Sequence, residues 1–319
     1  MVRSYRNVDV DNNVCAVYIC DMTNSTPTAD LAGRTILITG ATSGIGRSTA
    51  AAVAARGARV VLAVRDTDKG RRVAAELPAA ADPHVVRALD LADLASVRRF
   101  ADETTEQIDV LVNNAGVSAS TLGRTHDGFE MQFGTNHLGH FLLTTLLLPR
   151  ITSRVVTVSS QAERMGRLDL ADLDWRTRPY AGGRAYADSK LANLAFTLEL
   201  DRRLRQAGSP VRALAAHPGI VVTPIYDRAA ATKPGLWDLL LPVIGQGPDQ
   251  GALPVLLAIT ADLPGGSFTG PEHLFHMRGG AQVISASARA KDATLQADLW
   301  AASEAMTSTT GTGTARRAD

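Results

Sequence analysis

Tyr186 and Lys190 are the residues of this sequence whose types and spacing most directly suggest chemistry. They lie four residues apart in a segment predicted to be helical from about Arg184 to Gln206, so both side chains project from one helical face. A free tyrosine has a pKa of about 10, and a fixed positive charge beside it favours the phenolate. Such a pair could move protons at an alcohol or a carbonyl group. Because any long amphipathic helix can place Tyr and Lys at this spacing by chance, the interpretation depends on the rest of the chain.

The composition is that of a soluble globular protein. Of 319 residues, 45% are hydrophobic and 20% are charged, with 33 basic against 32 acidic side chains. This balance gives no indication of a nucleic-acid partner. The longest apolar runs, near residues 141–148 and 236–244, are shorter than the roughly 18 to 20 residues of a membrane span, so none is predicted. The length fits one large domain or two modest ones.

Residues 1–29 are predicted to be a disordered N-terminal extension. The two cysteines, Cys15 and Cys20, both lie there, where they could not form a disulfide framework for the rest of the chain. No basic region followed by an apolar core is present, so the segment does not resemble a signal peptide. We therefore expect a cytoplasmic protein. A short polar leader follows Met22, and we expect that residue to be the native start, which mass spectrometry of the native protein would test.

A glycine-rich turn follows the first predicted strand. Residues 35–39 form a continuous apolar and β-branched run, typical of a strand buried on both faces of a parallel sheet. Gly40, Gly44 and Gly46 come next, and an Ala-rich helix is predicted after them. A strand, a glycine turn and a helix N-terminus together bring backbone N–H groups close to a phosphate. The spacing is G-x-x-x-G-x-G rather than the commoner G-x-G-x-x-G, and a purely structural turn is the alternative.

The end of the second predicted strand carries conflicting signals about a dinucleotide. An acid at this strand end binds the ribose 2′-hydroxyl of NAD, whereas an Arg nearby accommodates the 2′-phosphate of NADP. Asp66 lies 20 residues after Gly46, about where the acid is expected. Arg65, however, directly follows Val64, the predicted strand tip. We therefore favour NADP(H) over NAD(H), and a solvated loop cation is the alternative for Arg65.

Strands and helices alternate over residues 30–285. This pattern predicts an α/β fold with a single Rossmann-type doubly wound domain, whose central parallel sheet is flanked by helices. Ligands bind such a sheet at the carboxyl ends of its strands. Small or polar residues follow four of the predicted strands, namely Asp90-Leu91, Asn113 to Gly116, Ser159-Ser160 and His217-Pro218-Gly219.

Other segments complete the predicted domain. A helix is predicted from Asp127 to Leu148, and the polar Asn136 inside it could equally be a hydrogen-bonded core residue. Residues 225–250 lose periodicity and are predicted to be a mobile apolar flap over the site. Residues 266–270 are predicted to be the last strand, and residues 286–319 a C-terminal helix with a disordered tail.

Two pairs of histidines are spaced three residues apart, which could place each pair on one face. They are His137 with His140, and His273 with His276. Neither pair has convincing further ligands nearby, so packing or surface roles are expected and no metal site is predicted.

Together these motifs resemble the short-chain dehydrogenase/reductase family over nearly all of residues 30–285. Residues 123–149 and 189–193 are similar to its retinol dehydrogenase branch, in which an Arg follows the second strand as Arg65 does here. The similarity to light-dependent protochlorophyllide reductases is weaker. The resemblance is carried by Thr39-Gly40-x-x-x-Gly44-Ile45-Gly46, Asn113-Asn114-Ala115-Gly116, Asn136, Ser160, Tyr186-x-x-Ser189-Lys190 and Pro218-Gly219.

The resemblance implies a role for each matching residue. Tyr186 would protonate the carbonyl oxygen in reduction or take the proton in oxidation, while Lys190 would lower its pKa and hold the nicotinamide ribose. Ser160, in preference to Ser159, would bind the substrate oxygen, and Asn136 would anchor a water linking Lys190 to solvent. With Tyr186 and Lys190, the residues implied to bind the cofactor are Gly40, Ser43, Gly44, Ile45, Gly46, Arg65, Asp90, Leu91, Asn113, Ala115, Gly116, Pro218, Gly219 and Thr223.

The sequence therefore predicts a cytoplasmic NADP(H)-dependent oxidoreductase acting on CH–OH groups, which interconverts a carbonyl and an alcohol on a small, fairly apolar substrate. One alternative is reduction of a carbon–carbon double bond, as in protochlorophyllide reductases. Another is a non-catalytic dinucleotide-sensing protein. The resemblance also implies a homodimer or homotetramer built on the helices that start near Asp127 and Arg184.

Overall fold

The structure is a computed structural model, and it describes residues 30–221 and 246–308. The predicted N-terminal extension, Thr223, most of the predicted flap and the end of the predicted tail lie outside these residues. Within the two described ranges, no helix has both the length and the apolar character needed to cross a membrane.

Eight strands form one sheet in the order β3-β2-β1-β4-β5-β6-β7-β8. Neighbours pair in parallel from β3 to β7, and β8 is antiparallel to β7. This sheet, with helices on both faces, confirms the predicted Rossmann-type fold. In chain order the strands are β1 (Thr35–Thr39), β2 (Arg59–Val64), β3 (Val85–Ala88), β4 (Ile108–Asn113), β5 (Ile151–Val158), β6 (Arg212–Ala216), β7 (Phe268–Gly270) and β8 (Gln282–Ile284).

Helices cover both faces because the central strands are apolar on both sides. Along β1, Ile36 and Ile38 belong to one hydrophobic cluster and Leu37 to the other, as the alternation of side chains along a strand requires. The helices are α1 (Gly44–Ala54), α2 (Thr67–Glu76), α3 (Leu94–Glu103), α4 (the consecutive segments Met131–Phe133, Gly134–Leu138 and Gly139–Leu147), α5 (Gly182–Gln206), α6 (Pro248–Thr260) and α7 (Ala293–Ser308).

Helix α4 begins at Met131, four residues after the predicted start at about Asp127. Gly128 has a φ of +84°, which interrupts helical geometry, and the Glu130 carboxylate then caps the first turn of α4. Asp127 instead accepts a hydrogen bond of 2.9 Å from the Leu94 backbone N–H at the start of α3. The acidic residue thus caps a different helix from the one that was predicted.

Strand β7 is not the last strand, which corrects the prediction. The three-residue β8 pairs antiparallel with it, with Phe268 opposite Ile284. A strand this short has too little alternation to be seen in the sequence, because its conformation depends on pairing with a neighbour.

The C-terminal helix α7 packs on α5 and α4 through aromatic side chains. The Trp300 ring is stacked at 5.8 Å on Phe196 and meets Phe141 edge-on at 5.0 Å. The Arg203 guanidinium lies 4.2 Å from the centre of the Trp300 ring. Helix α7 is therefore part of the folded body, and it covers part of the two helices on which the oligomer was predicted to form.

Candidate active site

A cavity of about 530 Å³ lies along the carboxyl ends of β1 to β4. Parallel sheets bind ligands at this edge, and the strand order reverses here between β1 and β4. Among its lining residues are those predicted to bind a dinucleotide at the ends of four strands, namely Gly40, Ser43, Gly44, Ile45, Gly46, Arg65, Asp90, Leu91, Ala115 and Gly116.

The glycine turn after β1 has no room for a side chain at Gly40 or Gly46. Gly40 has a φ of +68°, and a Cβ at this position would lie 2.9 Å from the Ala115 Cα. A Cβ on Gly46 would lie 2.5 Å from the Gly40 oxygen and 2.4 Å from Asn114 Nδ2. The turn therefore packs directly against the end of β4, and α1 starts at Gly44 with its N–H groups at the cavity. This arrangement fits a dinucleotide pyrophosphate.

A buried hydrogen-bond network holds the start of the glycine turn against the end of β4. The Thr39 hydroxyl accepts bonds of 2.9 Å from the Asn114 and Ala115 N–H groups, which ties β1 to β4. His140 Nδ1 lies 2.9 Å from the Asn136 carbonyl, which can only accept, so Nδ1 donates and Nε2 accepts from the Thr39 hydroxyl at 2.9 Å. Burial lowers the pKa of His140 to about 4, so the ring is neutral near pH 7.

Two cations stand at the cavity end next to β2. Arg65 and Lys69 are both exposed, and both line the cavity. The Asp66 carboxylate accepts a bond of 2.9 Å from the Lys69 N–H and thereby caps α2. Sequence reasoning missed Lys69, because a lysine in the first turn of a helix is usually only a solvated side chain.

Asn113, predicted to line the cofactor, is not among the residues that line the cavity. It is buried, and its Nδ2 donates a bond of 2.8 Å to the Thr144 hydroxyl of α4. Side chains alternate along a strand, so Asn113 is turned toward the helix and Asn114 lines the cavity instead.

Helix α5 positions Tyr186 and Lys190 as predicted. Lys190 is buried, with Nζ donating a bond of 3.2 Å to the Val158 oxygen at the end of β5 and lying 5.6 Å from the centre of the Tyr186 ring. Tyr186 is half-buried, between the buried Ala185 and Ala187. Burial lowers the pKa of Lys190 to about 8, which brings its ionisation close to neutral pH.

Asn136 lies in the π-helical segment of α4, Gly134–Leu138. Its Oδ1 accepts a bond of 2.8 Å from the Val117 N–H, and its Nδ2 donates bonds of 3.0 Å to the Val117 oxygen and to the Ser189 hydroxyl. The Ser189 hydroxyl donates in turn to the Tyr186 carbonyl at 2.8 Å. Asn136 therefore fixes α5 at the turn that carries Tyr186 relative to the chain after β4.

Gly116 brings this group of residues to the cavity wall. A Cβ on Gly116 would lie 3.5 Å from Lys190 Nζ and 3.4 Å from Asn136 Oδ1. Gly116 also lines the cavity, so the cavity reaches the glycine against which Lys190 and Asn136 pack. None of the predicted catalytic residues Asn136, Ser160, Tyr186 and Lys190 is itself among the residues that line it.

The two serines after β5 have different environments. Ser159 is buried, and its hydroxyl donates a bond of 2.8 Å to the Lys190 carbonyl inside α5. The half-buried Ser160 accepts a bond of 3.2 Å from the Ala162 N–H and caps the short helix Gln161–Met165. Ser160 is therefore the more accessible of the two.

The sequence profile of the short chain dehydrogenase family matches residues 34–234. The chain belongs to the short-chain dehydrogenase/reductase family. It is 43% identical to human retinol dehydrogenase 11 over 236 residues, 71% of this chain and 73% of that protein. With human retinol dehydrogenase 13 the identity is 47% over 204 residues, and the match covers 61% of each chain. These relatives place it in the retinol dehydrogenase-like branch, as predicted.

Solved structures agree with this assignment. The crystal structure of an uncharacterized protein from Mycobacterium paratuberculosis is 52% identical, with a TM-score of 0.76 over 88% of this chain and 95% of that one. The Pseudomonas aeruginosa RhlG/NADP active-site complex is 26% identical, with a TM-score of 0.59 over 77% of this chain and 96% of that one. The chain is thus an oxidoreductase with a nucleotide-binding Rossmann fold.

In this short-chain dehydrogenase/reductase, the predicted Pro218-Gly219 loop and the glycine turn both approach Gly251. A Cβ on Gly251 of α6 would lie 3.4 Å from both Ile45 Cγ1 and the Pro218 oxygen. The buried Gln246 donates a bond of 2.8 Å to the same oxygen. The loop after β6 is therefore held beside the cavity, although neither of its two predicted residues is in the cavity wall.

The histidines of α4 have structural partners. His137 Nε2 lies 2.8 Å from the Ser303 hydroxyl of α7, and burial lowers the pKa of His137 to about 3. Over residues 30–221 and 246–308, no group of three or more His, Cys, Asp or Glu side chains could hold a metal ion.

Proposed function

We propose that the chain is an NADP(H)-dependent oxidoreductase that interconverts a carbonyl and an alcohol on a small apolar substrate. The observation that carries the proposal is the position of Lys190 Nζ, 5.6 Å from the centre of the Tyr186 ring and 3.5 Å from a Cβ built on Gly116, which lines the same cavity as Arg65. The bound nicotinamide would supply or accept the hydride. The protein must then bind the substrate oxygen and exchange one proton with it.

Tyr186 is the group that exchanges this proton. In reduction its phenol protonates the oxygen as the carbonyl becomes an alcohol, and in oxidation its phenolate takes the proton back. A protonated Lys190 close to the ring favours the phenolate, and the Ser160 hydroxyl donates to the substrate oxygen as negative charge develops there. Asn136 acts through its bonds to Val117 and Ser189, which hold the Tyr186 turn of α5 in place.

The cations beside β2 support NADP(H) as the cofactor. A 2′-phosphate at this end of the cavity would meet Arg65 and Lys69, and a guanidinium can bind phosphate through two hydrogen bonds. One oxygen of the Asp66 carboxylate accepts from the Lys69 N–H in capping α2, so one carboxylate oxygen is left to accept from a ribose hydroxyl. The similar RhlG structure contains NADP, which is consistent with this choice.

Replacement of Tyr186 tests the proposed chemistry. Tyr186→Phe removes the proton donor, so we expect NADPH-dependent reduction of apolar aldehydes to fall by roughly 10²- to 10⁴-fold. Cofactor affinity should change little, as followed by the fluorescence of bound NADPH. Tyr180→Phe is the matched control, because Tyr180 lies outside the cavity wall and its hydroxyl donates to Glu130 and accepts from Gln132 at the start of α4, so turnover should stay intact. Full activity of Tyr186→Phe would refute the mechanism.

A further inference from the structure

Three consecutive residues after β7 adopt a left-handed backbone conformation. Leu274, Phe275 and His276 have φ values of +51°, +55° and +67°. This conformation is unfavourable for residues other than glycine, and strain of this kind persists only where the surroundings enforce it. The same turn exposes 51% of Leu274 and 87% of Phe275. Strain and apolar exposure at one place indicate a function that the fold alone does not require.

The buried His217 holds this turn. Its Nε2 donates a bond of 2.8 Å to the His276 carbonyl. Its Nδ1 accepts bonds of 3.2 Å from the Gln161 and Gly219 N–H groups. One neutral tautomer makes all three bonds, because two donors meet Nδ1 and one acceptor meets Nε2. Burial lowers the pKa of His217 to about 4, so this neutral form is present near pH 7.

These three bonds connect the turn to the catalytic end of the sheet. Gln161 directly follows Ser160, and its side chain also donates a bond of 3.4 Å to the Phe275 carbonyl. Gly219 lies in the loop after β6, where the next N–H, of Ile220, donates a bond of 3.0 Å to the Met277 carbonyl. Hydrogen bonds thus link the left-handed turn, the residue after Ser160 and the loop after β6, and three of these bonds are made by one imidazole.

We propose that His217 is a positioning residue that fixes the Leu274–His276 turn beside Ser160, and that Phe275 on this turn contacts the apolar part of the substrate. The proposal rests on the proposed function and narrows the substrate class to carbonyls and alcohols with an extended aliphatic or aromatic group. A short substrate would bind at Ser160 without reaching the turn.

Phe275→Ala tests the substrate contact, and because the side chain is exposed the variant should fold. The ratio of kcat/KM for decanal to that for propanal should fall about tenfold, the effect of losing one apolar side-chain contact. Binding of decanol to the protein–NADPH complex, followed by nicotinamide fluorescence, should weaken by a similar factor. Leu146→Ala is the control, since Leu146 is 37% exposed at the end of α4 on the opposite edge of the sheet.

A pair of His217 variants tests the positioning role. Replacement by Asn can keep an acceptor in place of Nδ1 but loses the donor in place of Nε2. Replacement by Gln can keep the donor that bonds to the His276 carbonyl. In His217→Asn we expect backbone amides of residues 273–279 to exchange at least about tenfold faster, together with the lower decanal-to-propanal ratio. His217→Gln should restore slow exchange in this segment. A structural role without positioning would affect both variants alike.

The outcomes separate this proposal from the proposed function. If Phe275→Ala binds decanol as tightly as the wild type, the substrate contact is refuted, even where Tyr186→Phe is inactive. Unchanged amide exchange in His217→Asn refutes the positioning role. If the wild type reduces no aldehyde, the proposed function fails, and decanol binding still decides whether Phe275 forms an apolar contact.

Discussion

Arg65 should determine which nicotinamide cofactor the protein prefers. It lines the end of the cavity beside β2, where a 2′-phosphate distinguishes NADP from NAD. We expect Arg65→Ala to weaken NADPH binding by roughly ten- to a hundredfold, the loss of a charge-assisted hydrogen bond, and to leave NADH binding nearly unchanged. Fluorescence titration of both cofactors measures this. Arg71→Ala, which removes an exposed cation paired with Asp68 on α2, is the control. An equal loss for both cofactors would contradict the assignment.

The buried, charged Lys190 is predicted to lower the free energy of unfolding, although turnover requires this residue. A pKa lowered from 10.5 to about 8 by burial corresponds to a penalty of roughly 3 kcal/mol on its charged form in the folded state. Lys190→Met should therefore raise the free energy of unfolding of the cofactor-free protein near pH 7 and abolish turnover. The Val158 carbonyl keeps a second donor, Asn193 Nδ2 at 3.3 Å.

The pH dependence of this effect follows from the direction of the shift. Below pH 8 the lysine is protonated in both folded and unfolded chains, so the whole penalty is present. Between pH 8 and 10.5 only the unfolded chain keeps the proton, so the wild type gains stability as pH rises and the advantage of Lys190→Met shrinks. Denaturant unfolding at several pH values measures the difference. A difference independent of pH, or one equal to that of the exposed Lys291→Met control, would contradict the account.

At the level of elements, the sequence predicted best where local and long-range signals agree. The apolar runs of β1 and β2 and the residues that follow them were predicted because a buried parallel strand has a strong pattern and its carboxyl end faces the ligand. The start of α4 was missed because Asp127 resembles an N-cap, although it caps α3. The bonds of His217 to Gln161 and His276 could not be predicted, since these partners are distant in sequence.

Helix α7 should contribute measurably to the stability of the whole domain. Trp300 is buried against Phe196 and Phe141, so Trp300→Ala should lower the free energy of unfolding by about 3–5 kcal/mol. Urea unfolding measures this quantity. Glu304→Ala, an exposed position on the same helix, should change it little. A loss below about 1 kcal/mol for Trp300→Ala would mean that α7 is only loosely attached.

On the scale of the whole molecule, the residues suited to bind phosphates and those proposed to exchange a proton follow different strands at the same edge of the sheet. The ends of β1 and β2 provide the glycine turn and the cations that suit phosphates, while the end of β5 and helix α5 provide Ser160, Tyr186 and Lys190. The switch in strand order between β1 and β4 lies at the cavity that the glycine turn and Gly116 line. A cofactor lying along this edge would have its phosphates at one end and its reacting ring at the other.

Deuteride transfer tests the central claim most directly. Wild-type protein would be mixed with NADPH carrying deuterium at both positions of nicotinamide C4 and with trans-2-decenal, and the product analysed by mass spectrometry and NMR. We predict decenol with one deuterium on the carbinol carbon. Deuterium on the β-carbon of a saturated aldehyde would instead show double-bond reduction. No transfer from NADPH or NADH to this or any other carbonyl substrate would contradict the enzyme assignment and favour a dinucleotide-sensing protein.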